Sequence, residues 1–318
     1  MNIKTLLIFC SSILVALSLM ALERFVGIGW DFHPDSVHYS KNSIYIANSL
    51  FERGFASWLN GGYYFIMYVL NQDVFNVTAY NIILYALTNV LISKMHWEAR
   101  SNYIISISLL LLLLNPYRIH LATTMLKDTT MIFLVVLIFY RLRYAILLMF
   151  PTIVIRQASL FYFIALFKPK AMKYIIFIGI CFFIGFSDLV IAQLDSSGSI
   201  DLKTRDFDNI PSFQEYGYLG SVIRGIVWPL LALSGLFVFI SPAFAYIFVA
   251  LGCFMNIIYT YTIYKKPPIL LRIFIPMAII AVLAPGFTSF IRYVYPLIII
   301  TPLAMGIDFL RLKKDQQI

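Results

Sequence analysis

The run LLIFCSSILVALSLMAL, residues 6–22, is the first of a series of apolar stretches that recur to the far end of the chain. A helix of about 20 such residues reaches across the roughly 30 Å of hydrocarbon in a bilayer, and only helices or closed barrels satisfy their backbone there. With 61% hydrophobic residues, 12% charged and a mean hydropathy of +0.86, the chain has too little polar surface for a water-soluble domain of its length. The expected fold is all-α: a polytopic transmembrane bundle forming one integral membrane domain over residues 1–318. The first run lacks a small-x-small cleavage site, so it is read as an uncleaved helix.

Run length and breakers place spans near 4–22, 77–93, 102–115, 129–142, 173–194, 243–263, 269–283 and 295–310. Residues 144–167 read as a hairpin of two short helices with Arg156 at its turn, for about ten crossings. Cationic clusters (RLR at 141–143, KPK at 168–170, KK at 265–266, RLKK at 311–314) then all fall on one side, which the positive-inside rule makes cytoplasmic, with both termini. All 15 acids except Glu98, Asp308 and Asp315 fall on the other. The net charge of +9 is thus topological, and its scattered cations form no stripe for nucleic acid.

Two stretches, 55–70 and 221–240, would invert every later loop if they crossed. They are read as interfacial or re-entrant helices, which their Trp, Tyr, Gly and Pro content allows. The outer face then carries loops 23–76, 116–128 and 195–242. Cys10, Cys181 and Cys253 each lie inside an apolar run, without disulfide or metal-ligand spacing.

The outer loops hold the chemistry. GWDFHPDSVHYSKNS, residues 29–43, puts Asp31, His33, Asp35, His38 and Tyr39 where the first helix leaves the membrane. Asp31 and Asp35 share a face if the segment is helical, although Pro34 favours an extended turn. Such a carboxylate can serve as a general base, or be an ordinary polar residue of an outer loop. His33 and His38 add hydrogen-bonding groups without the third spaced ligand of a zinc site.

The second loop carries Arg118, His120, Lys127 and Asp128. Arg156 interrupts an apolar hairpin, so its guanidinium needs an anion or water. Arg292 and Tyr293 follow in the last outer turn, and Arg224 adds a further cation. Guanidinium groups hold phosphate oxygens and offset the charge of a departing phosphate, so acids and arginines at headgroup level fit a lipid phosphate carrying a sugar.

These features resemble the GT-C superfamily of integral membrane glycosyltransferases, whose donors are polyprenyl-phosphate or polyprenyl-diphosphate sugars; O-antigen polymerases are similar. The family's P-D-E-x-x-Y motif after helix one corresponds to Pro34, Asp35, Ser36, Val37, His38 and Tyr39, with Ser36 in place of the second acid. Pro116 and Asp128, Arg156 at a short hairpin, and the R-Y-x-x-P run from Arg292 to Pro296 are also family-like.

The resemblance implies that Asp35 is the base, with Asp31 in the second acid's role or that role absent. Tyr39, His38, Arg118, Lys127, Asp128, Arg156, Arg292 and Tyr293 would bind donor and acceptor, and 195–220 would form a lid. The acceptor would be a glycan or glycolipid, the active face extracytoplasmic and the location a bacterial inner membrane. No cofactor is certain, since superfamily members divide between those that use a divalent cation and those that do not. The rivals are a repeat-unit polymerase for O-antigen or capsule, a flippase or transporter for lipid-linked oligosaccharide, and a membrane acyltransferase using His120.

Overall fold

The computed structural model describes residues 2–53, 61–141, 144–166, 216–234, 267–284 and 289–300, with a few single positions between them. Every regular element among these residues is a helix. The chain forms two compact units, the first of residues 1–159 and 302–318 and the second of residues 160–301. The expected spans at 173–194 and 243–263, and the lid at 195–220, lie outside the described residues apart from isolated positions and the lid's last five residues, 216–220.

In the first unit α1 runs Ile3–Phe25, α2 Pro34–Arg53, α3 Gly62–Val69, α4 Val74–Ala99, α5 Tyr103–Leu113, α6 Pro116–Ala122, α7 Asp128–Tyr140 and α8 Ala145–Ile155. Three helical stretches among the described residues are long and apolar enough to cross a membrane: Ile3–Phe25, Val74–Ala99 and Tyr103–Ala122. The first turns Leu7, Leu14 and Leu22 outward, where lipid rather than water suits them.

One narrow stripe of α1 is buried, comprising Ser12, Ala16 and Glu23. The two small residues let α4 approach closely: Asn89 Nδ2 donates to Ser12 Oγ at 3.1 Å, and Ala16 packs with Ile82, Tyr85, Ile119 and Ala122. The helix stops at Gly27, whose φ of +84° suits glycine. Ile28 N–H bonds to Glu23 O and Gly27 N–H to Arg24 O, the two closing bonds of a Schellman motif.

The first loop is more helical than its proline suggested. Pro34 occupies the first position of α2, where its missing N–H costs nothing, so Asp35 sits in a first helical turn and, of residues 29–43, 29–33 are irregular. Ser36, Tyr39, Ser43 and Ala47 make the buried stripe of α2, spaced three, four and four residues apart. Gln72 enters its backbone ladder: the side chain accepts from Ile44 N–H at 2.8 Å and donates to Ser40 O, the carbonyl that Ile44 would otherwise use. Positive φ angles at Asn71 and Gln72 aim this side chain from the turn before α4.

At about 12 Å, the eight-residue α3 is far too short to cross a bilayer. It lies close against α8, since a Cβ on Gly62 would come within 2.6 Å of Val154 Cγ1. Segment 116–128, expected as a loop, is helical through Ala122 and buried. Asn115 starts this helix by accepting from Tyr117 and Arg118 N–H ahead of Pro116.

In the second unit α9, Gly217–Ser234, packs on α10, Pro267–Leu283. Trp228 of α9 is buried against Phe287 and Phe290. Arg224 donates to Val282 O, satisfying a carbonyl at the end of α10.

Candidate functional site

In the first unit, two aromatic side chains join the first loop to the Arg156 region. Tyr39 of α2 meets Tyr63 and Tyr64 of α3 edge-on, at ring separations of 4.9 and 5.5 Å. His38 contacts the Tyr64 hydroxyl at 3.3 Å and Asn42 Nδ2 at 3.2 Å. Burial and then the Asp35 charge hold the Tyr64 phenol above its ordinary range. Burial raises the Tyr63 phenol more strongly, the nearby phenol of Tyr39 adds to this, Asn81 opposes it, and Tyr80 and Asp128 add smaller increments.

Asp35 is half-buried and Asp31 exposed, its carboxylate folded back over Gly29. Being in the first turn of α2, Asp35 is in the field of that helix's free N–H groups, which favours its charge. Burial of Tyr39 holds α2 in rotation and so fixes the face on which Asp35 lies.

Asp128 opens α7, and Arg156 Nη2 donates to its Oδ1 at 2.7 Å in a fully buried pair. The backbone of Arg156 is extended, ending α8 ahead of a 3₁₀ segment at Gln157–Leu166. Lys127 Nζ donates to Ile155 O at 3.2 Å, capping the end of α8. The anion that Arg156 needs is thus supplied in part by the protein. A guanidinium has five N–H donors, so it can hold a carboxylate and a phosphate oxygen together.

Arg118 faces the packing of α4 and α5. It donates to Leu112 O at 2.6 Å and Asn89 Oδ1 at 2.9 Å, and lies over the Tyr85 ring. These contacts close the C-terminal end of α5, a structural task. Arg292 and Tyr293 belong to the helix Ser289–Ile300 of the second unit, where Arg292 is buried and Tyr293 O accepts from Tyr162. Of the residues expected at the site, Asp35, His38, Tyr39, Lys127, Asp128 and Arg156 are linked through α3 and α8 within the first unit.

A second buried group adjoins 116–128. Glu23 Oε1 accepts from His120 Nδ1 at 2.7 Å, and Glu23 Oε2 is 2.6 Å from Thr123 Oγ1. His120 Nε2 is 2.9 Å from His33 Nε2, and Phe32 and Tyr117 flank the imidazole pair. Arg24 donates to Ile28 O and Thr123 O beside them. Sequence reading passed over Glu23, yet two signals mark it. It continues the stripe of Ser12 and Ala16, and it is an acid in a helix's last turn, where the dipole opposes it.

No group of three His, Cys, Asp or Glu gathers in metal-binding fashion among the described residues. Comparison with family models, curated proteins and solved structures finds no significant match to this chain.

Proposed function

We propose that this protein is a membrane glycosyltransferase that moves a sugar from a polyprenyl-phosphate or polyprenyl-diphosphate donor to a cell-surface glycan or lipid acceptor. In this reading about ten helices cross the membrane, both termini are cytoplasmic and the Asp35 end of the first unit faces outward. One observation carries it: α3, whose Tyr63 and Tyr64 meet Tyr39 of the Asp35 helix, also packs on α8, which ends at Arg156 of the buried Asp128–Arg156 pair, so a carboxylate, an aromatic cluster and a guanidinium belong to one set of packed helices. Aromatic faces and edges suit the C–H surface of a sugar ring, while the guanidinium suits the phosphate that carries it.

Asp35 takes the proton of the acceptor hydroxyl. That oxygen attacks the anomeric carbon as the bond from this carbon to the phosphate oxygen breaks, and the lipid phosphate leaves with the electron pair. Arg156 and Lys127 offset its growing charge. Polymerisation of a lipid-linked repeat unit is the same chemistry with a glycan acceptor. The Glu23–His120 contact favours a second reading, an acyltransferase with an acid-oriented imidazole base.

The test is Asp35→Asn in the native host, with surface glycolipid and polysaccharide profiled by gel and mass spectrometry. Loss of a glycan species while the protein still inserts supports sugar transfer. A normal glycan profile overturns it, and loss of an acyl group alone points to the second reading.

A further inference from the structure

The Glu23–His120–His33 group lies in the bundle beside the proposed base, and its geometry is that of a path for protons. The contact between His33 Nε2 and His120 Nε2, 2.9 Å, is a hydrogen bond only if one of the two nitrogens carries a proton and the other does not. With His120 Nδ1–H turned to Glu23 at 2.7 Å, a neutral His120 presents its bare Nε2, and His33 Nε2–H donates to it. The deep end has two settings. Thr123 Oγ1 has one proton and two acceptors in reach, Glu23 Oε2 at 2.6 Å and His120 O at 2.8 Å. When Glu23 is a carboxylate, Oε1 accepts from His120 Nδ1 and Oε2 from Thr123. When Glu23 holds a proton on Oε1, that proton donates to the bare Nδ1 of His120 and Oε2 still accepts from Thr123, so neither state leaves a buried group unsatisfied.

Glu23 and His120 are each only 1% exposed, whereas His33 is half-buried and two residues from both Asp31 and Asp35. The other polar or charged groups around the chain are Arg24, occupied with Ile28 O and Thr123 O, Tyr117 on α6, and Tyr85 of α4 beneath Ile119. A buried carboxylate in the unfavourable last turn of a helix, with both its oxygens in use, is an expensive way to fill space.

We propose that His33, His120 and Glu23 form a proton chain, open at His33 to the first loop and closed at Glu23 in the bundle, that stores the proton released by the transfer reaction. This rests on the transferase reading for the source of the proton. A proton reaching His33 Nδ1, from Asp35 or from water, is matched by passage of the Nε2 proton to His120 Nε2. His120 is then an imidazolium beside the Glu23 carboxylate, or it passes the Nδ1 proton to Glu23 Oε1, which donates it back to the bare Nδ1 as a hydrogen bond while Thr123 still donates to Oε2. No heavy-atom bond changes, and charge is conserved at each step. These three are positioning and storage residues, and Asp35 remains the group that touches the acceptor.

The sequence has just 4 histidines, so the full-length protein labelled with ¹⁵N-histidine in lipid nanodiscs gives a simple imidazole nitrogen spectrum. The proposal expects coupling between two Nε2 nuclei across their shared proton. His33→Gln abolishes this coupling, and Glu23→Gln changes the protonation of both rings. Glu23→Asp serves if the amide variant does not fold. Absence of the coupling in the wild type, or its persistence in His33→Gln, overturns the chain.

Its role is read in the host, as surface glycan formed across a range of external pH. His33→Gln is expected to lower glycan by on the order of tenfold to a hundredfold and to flatten its pH dependence, which a purely structural role would not do. Wild-type glycan at every pH in His33→Gln, with none in Asp35→Asn, overturns the storage role. Normal glycan in Asp35→Asn overturns the transferase reading, and with it the assigned proton source, while the nitrogen coupling still decides whether the chain exists.

Discussion

The first loop and the 115–128 segment have similar residues, yet the fold uses them in opposite ways. Asp31 and His38 are exposed and Asp35 half-buried, on a helix held from beneath by Tyr39. Arg118, His120 and Asp128 are each 1% exposed and bonded to other helices. The same residue types face a surface in one place and join helices in the other. The difference is what they touch: a charge at a surface can meet a substrate, whereas a charge inside must be paired or it destabilises the fold.

Substitutions that tell a reagent from a joint test this contrast. The largest expected effect is that of Asp35→Asn, which should lower glycan formation by about 10²–10⁴-fold, the usual contribution of a general base, with the amount of inserted protein unchanged on immunoblots. Similar loss of inserted protein would make Asp35 a joint as well. Next is Asp128→Ala, which strands Arg156 in the bundle and should cost about 3–5 kcal/mol in detergent unfolding. Replacing both partners, Asp128→Leu with Arg156→Met, should recover most of that stability while glycan formation stays low. If glycan returns with stability, the pair is only a joint.

Smaller effects follow at the edges of the first loop. Gln72→Leu removes the side chain held between Ser40 O and Ile44 N. Because α2 can then close its own ladder, the expected cost is only about 1 kcal/mol by the same unfolding measurement. Asp31→Asn should change stability by no more than about 0.5 kcal/mol and leave the glycan profile intact, as befits an exposed side chain. Loss of glycan equal to that of Asp35→Asn would give Asp31 an equal share in the chemistry.

Much of the helical architecture was legible. Apolar run length marked α1, α4 and α7, and α7 begins at the expected Asp128. The break at Arg156 was legible too, because a guanidinium cannot stay in an apolar run without a partner. Less visible was α2: its buried stripe of Ser36, Tyr39, Ser43 and Ala47 is too polar to stand out, and Pro34 reads equally as a turn or a helix start. Segment 116–128 was misjudged as a loop because its charges suggested water, whereas Asn89, Leu112 O, Glu23 and Arg156 supply the partners that bury them. Glu23 was overlooked because an acid at the end of an apolar run is usually the residue that leaves the membrane.

The sequence by itself determined that this chain belongs in a membrane and that its acids and cations collect near helix ends, since run length and the cost of burying charge depend only on composition and order. Tertiary structure decided which charges pair, because Asp128 with Arg156 and Glu23 with His120 are separated by 28 and 97 residues. Partnership at that range is set by how helices pack against one another, and nothing local in the chain encodes it.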